Sequence, residues 1–325
     1  MKVIFGVEKL KLQKKKSIVA IGVFDGVHRG HQAIIETIVK DAHDLKVQSV
    51  VVTFEPHPLE ILVPGAHLPI LTGFDLKAKL IERMGVGLLL IIKFTKKFSQ
   101  MPAQAFIDEI LLKKLNVIEV VVGEGFRFGK NSAGDIQLLT NYGRERGYAV
   151  KSIPLVYVGG KAISSTRIRE LLERGKILEA RKILGHYPKL IGKVVQGCGR
   201  GRDIGFCTAN IETKDKDSVP REGVYAGFVQ LNGEAKACVV NIGGCPTFNV
   251  KRPRIEIHII GFDKNIYGNK IEIEIVENIR KQKKFKDKSS LACQIEKDIA
   301  KAKKLLCGKF TEFNKYGSIG QAKKA

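Results

Sequence analysis

The sequence lacks a hydrophobic run long enough to cross a bilayer. Its most apolar stretch, 85–92, falls well short of the roughly 20 residues that a membrane-spanning helix requires. Residues 1–22 are interrupted by Glu8 and several lysines, so they lack the apolar centre of a secretory signal peptide. These absences disfavour membrane and exported proteins, and we expect a cytoplasmic protein with no membrane partner.

Cysteine is missing from the first half of the chain. No two of the six cysteines have the short spacing of zinc-binding or redox motifs. We expect most of them to be reduced core residues, although their number leaves disulfides open. The cysteines are Cys198, Cys207, Cys238, Cys245, Cys293 and Cys307.

Acidic residues are too few to balance the basic ones, and the formal net charge is +23. Clustered lysine and arginine would indicate a nucleic-acid-binding surface. Here the excess is spread, because 1–187 carry 29 basic and 18 acidic residues while 188–325 carry 27 and 15. We therefore expect a generally basic surface that suits anionic substrates such as nucleotides, and no nucleic-acid partner.

Strand-like apolar runs alternate with helical patterns in the first half. Two helical segments, 165–175 and 177–185, follow the last of these strands and end in glycine. The alternation predicts an α/β domain with a parallel sheet over residues 1–187. The strand-like runs lie at 17–24, 47–54, 86–94, 117–123 and 148–158, and the earlier helical patterns at 102–116 and 136–147.

The pattern changes after "HYPKL" to short alternating strands separated by turn residues. Asn232 and Gly233 can form a tight hairpin turn, and 255–260 and 270–276 alternate apolar and polar residues. We predict a small antiparallel β-barrel over 188–325 that ends in a helix from about Ser289 to Leu306. The rest of the C-terminal tail has no periodicity and is expected to be loosely ordered.

Two histidines lie three residues apart where a strand turns into a helix, in "GVFDGVHRGH". Apolar residues at helical spacing follow, which places His28 and His31 at a helix N-terminus. Such an end offers unpaired N–H groups and partial positive charge, and Gly26 and Gly30 leave room for a phosphate. The imidazoles could donate to phosphoryl oxygens of a nucleotide, or they could be structural histidines.

Four motifs in order give the first half a family resemblance. "FDGVHRGH" is followed by "TFEPHP" at 53–58, "VGEGFRFGKNSAGD" at 122–135 and "ISSTRIRELLERG" at 163–175. Together they resemble the nucleotidyltransferase half of the bacterial bifunctional riboflavin kinase/FMN adenylyltransferases, also called FAD synthetases. The resemblance implies a Rossmann-like domain in which His28 and His31 are catalytic residues that bind and stabilise ATP phosphates.

The resemblance also implies a nucleotide site around these histidines. Hydroxyls of "SST" would cap the next helix, and Arg167 would reach the triphosphate. Without the resemblance, this stretch would be a capped helix with a solvated arginine, and His57 could simply pack in its loop. The nucleotide-binding residues assigned here are Gly22, Phe24, Asp25, Gly26, Gly30, His57, Ser164, Ser165, Thr166 and Arg167.

One position departs from the family pattern. Members usually carry Asp or Asn before "FxFG", a side chain associated with flavin binding and transfer, whereas this chain has Gly125. The neighbouring Glu124 would point elsewhere and would not replace that side chain. The departure therefore bears on the efficiency of adenylyl transfer and not on the fold. Phe126 and Phe128 are candidate flavin-binding aromatics, with core packing as the alternative.

A glycine-rich turn with two arginines opens the second half, in "VVQGCGRGRDIGFCTANIE". The N–H groups of such a turn can cradle phosphates, which makes Gly197, Gly199, Gly201 and Arg202 nucleotide-binding candidates, although glycine-rich hairpins are common in barrels.

The same stretch resembles the PTAN signature of the riboflavin kinase half of the family. The resemblance assigns Thr208 and Asn210, both hard oxygen donors, to Mg²⁺ bound with ATP. Cys207 replaces the usual proline, which we expect to be tolerated because proline supplies rigidity rather than chemistry.

Glu256 in "RIEIHI" matches the catalytic glutamate of the kinase half. A kinase that acts on an alcohol needs a group that accepts or orients the hydroxyl proton. Taken alone, a polar residue on an alternating strand would face solvent. Arg280 is a candidate flavin contact, or an ordinary surface arginine.

The resemblance extends from Ser17 to about Leu306 and predicts a bifunctional enzyme. It would phosphorylate riboflavin to FMN and then transfer AMP from ATP to FMN, with Mg²⁺ as cofactor and riboflavin, FMN, FAD and ATP as partners. Homo-oligomer formation is left open. Two alternatives are a riboflavin kinase with weak or lost adenylyl transfer, and a flavin- or RNA-binding regulator on the same scaffold; two intact catalytic sets argue against the regulator.

Overall fold

The apolar runs of the first half form one six-stranded parallel sheet with the order β1-β4-β3-β2-β5-β6. Every residue of β2 is buried, as expected for a parallel strand that is covered on both faces. This confirms the predicted parallel α/β architecture. The strands are β1 (Lys2–Phe5), β2 (Ser17–Ile21), β3 (Gln48–Glu55), β4 (Leu88–Lys93), β5 (Val117–Gly123) and β6 (Ala149–Ile153).

Helices cover both faces of this sheet. Residues Ile18 and Ala20 of β2 pack with α1 and α3 on one face, whereas Val19 and Ile21 pack with the π-helical segment and α5 on the other. The helices are α1 (Arg29–Asp44), α2 (Pro58–Leu62), α3 (Phe74–Arg83), α4 (Ala103–Ala105), which continues as the π-helical segment (Phe106–Lys114), and α5 (Ile136–Arg146).

The sequence prediction missed β1 and α3. β1 is a four-residue edge strand that pairs only with β4, and its burial pattern is that of an exposed segment with one buried residue. Its apolar run, 3–5, is only three residues long and so falls short of the four to eight residues that indicate a buried strand. Two further short strands, β7 (Tyr157–Val158) and β8 (Lys161–Ala162), form a small antiparallel pair.

The second half forms a closed antiparallel barrel of six strands in the order β10-β13-β12-β11-β14-β9, as predicted. The two segments with alternating apolar and polar residues, 255–260 and 270–276, lie in β13 and β14, and these two strands do not pair with each other. β13 lies between β10 and β12, and β14 lies between β9 and β11. The strands are β9 (Lys189–Val195), β10 (Ala209–Glu212), β11 (Gly223–Leu231), β12 (Glu234–Gly243), β13 (Arg254–Ile259) and β14 (Lys270–Arg280).

Three helices accompany the barrel strands in the second half: α6 (Ser165–Glu173), α7 (Ile177–Leu184) and α8 (Lys288–Leu306). The bounds of α8 agree with the predicted C-terminal helix. Ala302 and Leu306 of α8 pack against Val224, Phe228 and Val276 of the barrel. The last helix therefore covers one outer side of the barrel.

The computed structural model describes residues 1–63, 65, 68–196, 205–214, 216–231, 233–243 and 253–309. Contacts divide the chain into Met1–Ser165 and Thr166–Ala325, so this division falls earlier than the boundary at residue 187 that the sequence predicts for the functional domains. That functional boundary stays a prediction. No helix among the described residues combines the length and apolar character that a membrane crossing requires.

The expectation that most cysteines are core residues is wrong for the described ones. All four are free thiols, but only Cys238 is buried. Cys207 lies in a loop and Cys293 and Cys307 lie on or just after the outward part of α8, where the apolar pattern does not require a buried residue. Cys198, Cys245, Asn232 of the predicted hairpin turn and the tail from 310 lie outside the described residues.

Candidate active sites

His28 and His31 lie at the start of α1, as the sequence predicts. His28 is the N-cap residue, and its Nδ1 accepts a hydrogen bond from the backbone N–H of His31 at 3.3 Å. A ring nitrogen that accepts carries no proton, so in the neutral ring of His28 the proton is on Nε2. The cap thus fixes which nitrogen of His28 can donate.

The two imidazole rings are stacked with their centroids 3.6 Å apart and an interplanar angle of 16°. The ring of Phe24 packs edge-on against His31 at 5.2 Å. A Cβ at Gly30 would lie 3.2 Å from the His28 ring, so the lack of a side chain at Gly30 leaves room for this ring. The spacing of three residues therefore brings both histidines together, as one helical turn requires.

His31 is held in its neutral form by its surroundings. Burial lowers its pKa well below the usual 6.5, and the nearby charges of His28 and Lys77 lower it further. Its buried Nδ1 has no hydrogen-bond partner among the described residues. A buried polar atom without a partner is uncommon, and it is the kind of group that a ligand can satisfy.

The loop between β2 and α1 has an unfavourable backbone conformation. Phe24 and Val27 both have positive φ angles, 53° and 41°, although neither is glycine. Conformations of this kind cost of order 1–3 kcal/mol each and persist where surrounding contacts enforce them. Both side chains are almost fully buried, at 0% and 1% exposure.

Hydrogen bonds from a distant segment hold this loop. The buried carboxylate of Asp25 accepts from the backbone N–H groups of Leu71 and Thr72, both at 3.0 Å. The Thr72 hydroxyl accepts from the N–H of Gly26 at 2.9 Å, and the Ser165 hydroxyl donates to the Asp25 carbonyl at 2.9 Å. The side chain of Asp25 therefore positions the loop, and its assignment to the nucleotide stays a prediction.

The other predicted nucleotide-binding residues lie at or before the starts of α2 and α6. His57 is the N-cap of α2, where Nδ1 accepts from the N–H of Leu59 at 3.2 Å. Ser164 is exposed and precedes α6. Thr166 and Arg167 begin the second of the two units, and their nucleotide contacts stay predictions.

Phe126 and Phe128 stack at 5.5 Å, but only Phe126 is partly exposed. Phe128 is buried and contacts Phe106 of the core, which agrees with the core-packing alternative for this residue. Gly125 is exposed with a φ of 83°, and no atom lies within 4 Å of a Cβ built on it. Glu124 accepts a bond from the N–H of Leu155 at 3.3 Å.

In the barrel, Glu256 lies between two asparagines on neighbouring strands. Asn210 of β10 and Asn241 of β12 are its direct cross-strand partners in β13. Cross-strand partners project to the same face of a sheet, so the three side chains form one polar row. The amide of Asn241 donates to Glu256 Oε2 at 3.4 Å.

Arg254 joins this row from two positions earlier on β13. Its Nε lies 3.0 Å from Asn210 Oδ1 and 3.3 Å from Glu256 Oε1. Gln282 donates to the side-chain oxygen of Asn241 at 2.5 Å. Thr208 precedes β10 and is partly buried, whereas Gly197, Gly199, Gly201 and Arg202 lie outside the described residues.

Arg280 makes a partly buried ion pair rather than an ordinary surface contact. Its Nε and Nη2 both donate to the carboxylate of Asp298 on α8, at 2.9 and 2.7 Å from Oδ2. The side chain of Asp298 is 5% exposed. This geometry assigns the guanidinium to joining β14 and α8, and a flavin contact stays a prediction.

Sequence patterns missed several residues that shape these sites. Thr72 and Lys77 support the histidine loop, and Asn241, Arg254 and Gln282 extend the row around Glu256. Of these residues, Lys77 is the one that the sequence could have indicated. The helical spacing of Leu76 and Ile81 defines the buried face of α3, and Lys77 lies next to that face.

Comparisons with known proteins match each half separately. The chain fits the family model described as FAD synthetase over residues 10–167 and the one described as riboflavin kinase over residues 184–306. A bifunctional riboflavin kinase/FMN adenylyltransferase from Buchnera aphidicola is 38% identical over 308 residues, which cover 94% of this chain and 98% of that protein. The protein of the same name from Escherichia coli is 35% identical over 300 residues, which cover 92% and 96%.

A solved structure agrees in fold. A crystal structure described as a macrolide-efflux protein from Streptococcus pneumoniae has a TM-score of 0.85 and 29% sequence identity, and covers 93% of this chain and 99% of that chain. Its description differs in activity from that of the sequence relatives. The likeness therefore supports the fold, and the activity rests on the family models and the named relatives.

Proposed function

Because the chain belongs to the family of bifunctional riboflavin kinase/FMN adenylyltransferases, we propose that the His28–His31 helix end is its adenylyl-transfer site and the row around Glu256 its kinase site. The enzyme phosphorylates riboflavin to FMN with ATP and transfers AMP from ATP to FMN, giving FAD and pyrophosphate. The observations that carry the two assignments are the stacking of His28 on His31 at the start of α1 and the cross-strand pairing of Asn210 with Glu256 in the barrel.

In adenylyl transfer, a phosphate oxygen of FMN attacks the α-phosphorus of ATP, and the bond to pyrophosphate breaks. Negative charge on the triphosphate must be received while this occurs. The start of α1 supplies backbone N–H groups and the positive end of the helix dipole. His28 donates from Nε2, and His31, held neutral by burial, donates without first taking up a proton.

In the kinase reaction, Glu256 accepts the proton of the riboflavin hydroxyl as that oxygen attacks the γ-phosphorus of ATP. Asn241 and Arg254 contact the two carboxylate oxygens and hold the side chain in one orientation. Arg254 also places a cation directly beside this carboxylate.

The oxygen donors at this site fit magnesium. Mg²⁺ binds few protein ligands and completes its shell with water and phosphate oxygens, so Thr208 and Asn210 are sufficient protein donors. The bond from Arg254 uses one side of the Asn210 carbonyl oxygen, and its second lone pair can face a cation. No group of three acidic, histidine or cysteine side chains among the described residues forms an alternative site. When bound, Mg²⁺ screens the charge of the triphosphate.

The experiment that tests both assignments supplies riboflavin, ATP and Mg²⁺ and separates riboflavin, FMN and FAD by chromatography. We expect His28→Ala to stop at FMN and Glu256→Gln to form neither product. Given FMN instead of riboflavin, Glu256→Gln should still form FAD, which controls for misfolding. If His28→Ala makes FAD at the wild-type rate, the helix end is not the transfer site.

The remaining expectations are not tested by these observations. A cytoplasmic location and the absence of a nucleic-acid partner stay predictions of the sequence, and homo-oligomer formation stays open.

A further inference from the structure

Lys77 of α3 is a buried cation without an ion-pair partner in the part of the chain that the structure describes. Its relative exposure is 4%, and its Nζ donates one hydrogen bond, to the carbonyl oxygen of Val23 at 3.0 Å. No carboxylate among the described residues lies within ion-pair distance of this ammonium. Burying an unpaired charge costs several kcal/mol, so a lysine in this environment requires a reason beyond packing.

The surroundings of Lys77 act on its charged form in two opposite ways. Burial lowers its pKa, while the negative charges of Asp25 and Glu55 oppose this shift. Both carboxylates act from beyond contact distance, and Asp25 is already bound to the backbone of Leu71 and Thr72. An ammonium group has three donors, and the bond to Val23 uses one of them.

The position of Lys77 relates it to the histidines. Val23 lies just before the strained loop of Phe24–Val27, and its carbonyl also accepts from the hydroxyl of Thr53 at 3.0 Å. The charge of Lys77 acts on His31, whose buried Nδ1 has no partner among the described residues. Lys77 therefore lies close behind the helix end that faces the nucleotide.

We propose that Lys77 is a positioning residue for adenylyl transfer: its ammonium fixes the Val23 carbonyl behind the histidine loop, and its buried charge attracts the phosphates of the nucleotide. The charge acts through a medium of low dielectric, where it is weakly screened and its attraction to phosphate is larger at a given distance than in water. The proposal rests on the assignment of adenylyl transfer to the His28–His31 helix end.

The anchoring role and the electrostatic role of Lys77 can be separated, because Thr53 and Lys77 both donate to the carbonyl of Val23. Thr53→Val removes one donor to Val23 without changing charge, and valine has the shape of threonine. Lys77→Met removes the charge and the other donor, and it keeps most of the side-chain volume. Lys77→Arg keeps the charge. If Lys77 only anchors the Val23 carbonyl, Thr53→Val and Lys77→Met should weaken ligand binding to a similar extent. If the charge of Lys77 attracts phosphate, Lys77→Met should weaken the binding of charged ligands more than Thr53→Val does, and the binding of uncharged ligands equally.

The test uses the full chain with FMN and ATP as substrates, and measures inhibition of FAD formation by inorganic pyrophosphate and by adenosine. Lys77→Met should raise the inhibition constant for pyrophosphate about five- to tenfold and change that for adenosine less than about twofold. Thr53→Val should lower kcat and affect both inhibitors alike, and Lys77→Arg should retain the affinity for pyrophosphate.

Riboflavin kinase activity of each variant controls for the amount of active chain, because that reaction uses the other half, and thermal unfolding of each variant is the folding control. If Lys77→Met does not yield folded protein, Lys77→Gln keeps a donor for Val23 without the charge and enters the same comparison. Equal weakening of pyrophosphate and adenosine, or wild-type inhibition by both, would overturn the proposal. Unchanged FAD formation by His28→Ala would instead show that the site assignment, and not the role of Lys77, has failed.

Discussion

The ion pair between Arg280 and Asp298 provides a quantitative prediction about the kinase half. Arg280→Met leaves the Asp298 carboxylate, which is 5% exposed, without its cation. Removing one member of a buried pair typically costs about 3–5 kcal/mol, because the remaining charge is not compensated. The amide of Gln294 still donates to Asp298 at 2.9 Å, so we expect the lower end, about 3 kcal/mol.

This loss should appear as a shift of thermal unfolding. For a unit of this size, 1 kcal/mol corresponds to about 2–4 °C, so the midpoint of the barrel transition should fall by roughly 6–12 °C. The matched control is the double variant Arg280→Met/Asp298→Leu, in which no charge remains buried. It should recover at least half of the lost stability, since an apolar pair can replace a buried ion pair at little cost.

The KM for riboflavin separates this structural role from a flavin contact. If Arg280 only joins β14 to α8, the double variant should regain a nearly normal KM together with its stability. A double variant that is stable yet keeps the raised KM of Arg280→Met would show that the guanidinium binds flavin. An Arg280→Met variant that unfolds at the wild-type temperature would refute the energetic reasoning itself.

Three further predictions concern single positions. Gly125→Asn should fold normally, because asparagine tolerates the φ of 83° and the added Cβ meets no atom, and it should raise the rate of FMN adenylylation without changing the kinase rate; an unchanged rate would show that Gly125 does not limit transfer. His31 has a pKa below 6.5 in the folded chain, so below that pH the unfolded chain binds a proton that the folded chain excludes, and stability falls from pH 7 to pH 5. His31→Gln should reduce this fall in thermal unfolding, and an equal fall in both proteins would contradict the prediction. Cys207→Pro should retain kinase kcat within about threefold, because the N–H of Cys207 donates no bond among the described residues, whereas a tenfold loss would show that cysteine is required there.

The architecture could be predicted because its signals are local. Apolar runs of strand length and helical spacing between them determine a parallel sheet, and short alternating runs determine a barrel. The position of the histidines is also local, since His28 and His31 are within one turn of the same helix. Periodicity predicts the fold but not the reaction. The reaction was predicted from the motifs and from their order along the chain.

The supports of the two sites could not be predicted, because they come from distant parts of the chain. Thr72 bonds Gly26 across 46 residues, and Lys77 bonds Val23 across 54. The positive φ angles of Phe24 and Val27 contradict local preference, since large and β-branched residues disfavour that region. Only the surrounding contacts determine these features, and they are the features on which the geometry of the loop depends.

The neutral state of His31 and the buried charge of Lys77 are electrostatically coupled, because the positive charge of Lys77 disfavours protonation of His31. A protonated His31 beside a cationic Lys77 would bring two like charges into a region shielded from water, where their repulsion is strong. One buried cation beside a neutral His31 avoids this repulsion and still attracts phosphate. Under the proposed roles, the helix end and Lys77 supply positive charge while the imidazoles supply N–H donors, so adenylyl transfer near neutral pH does not depend on protonation of His31.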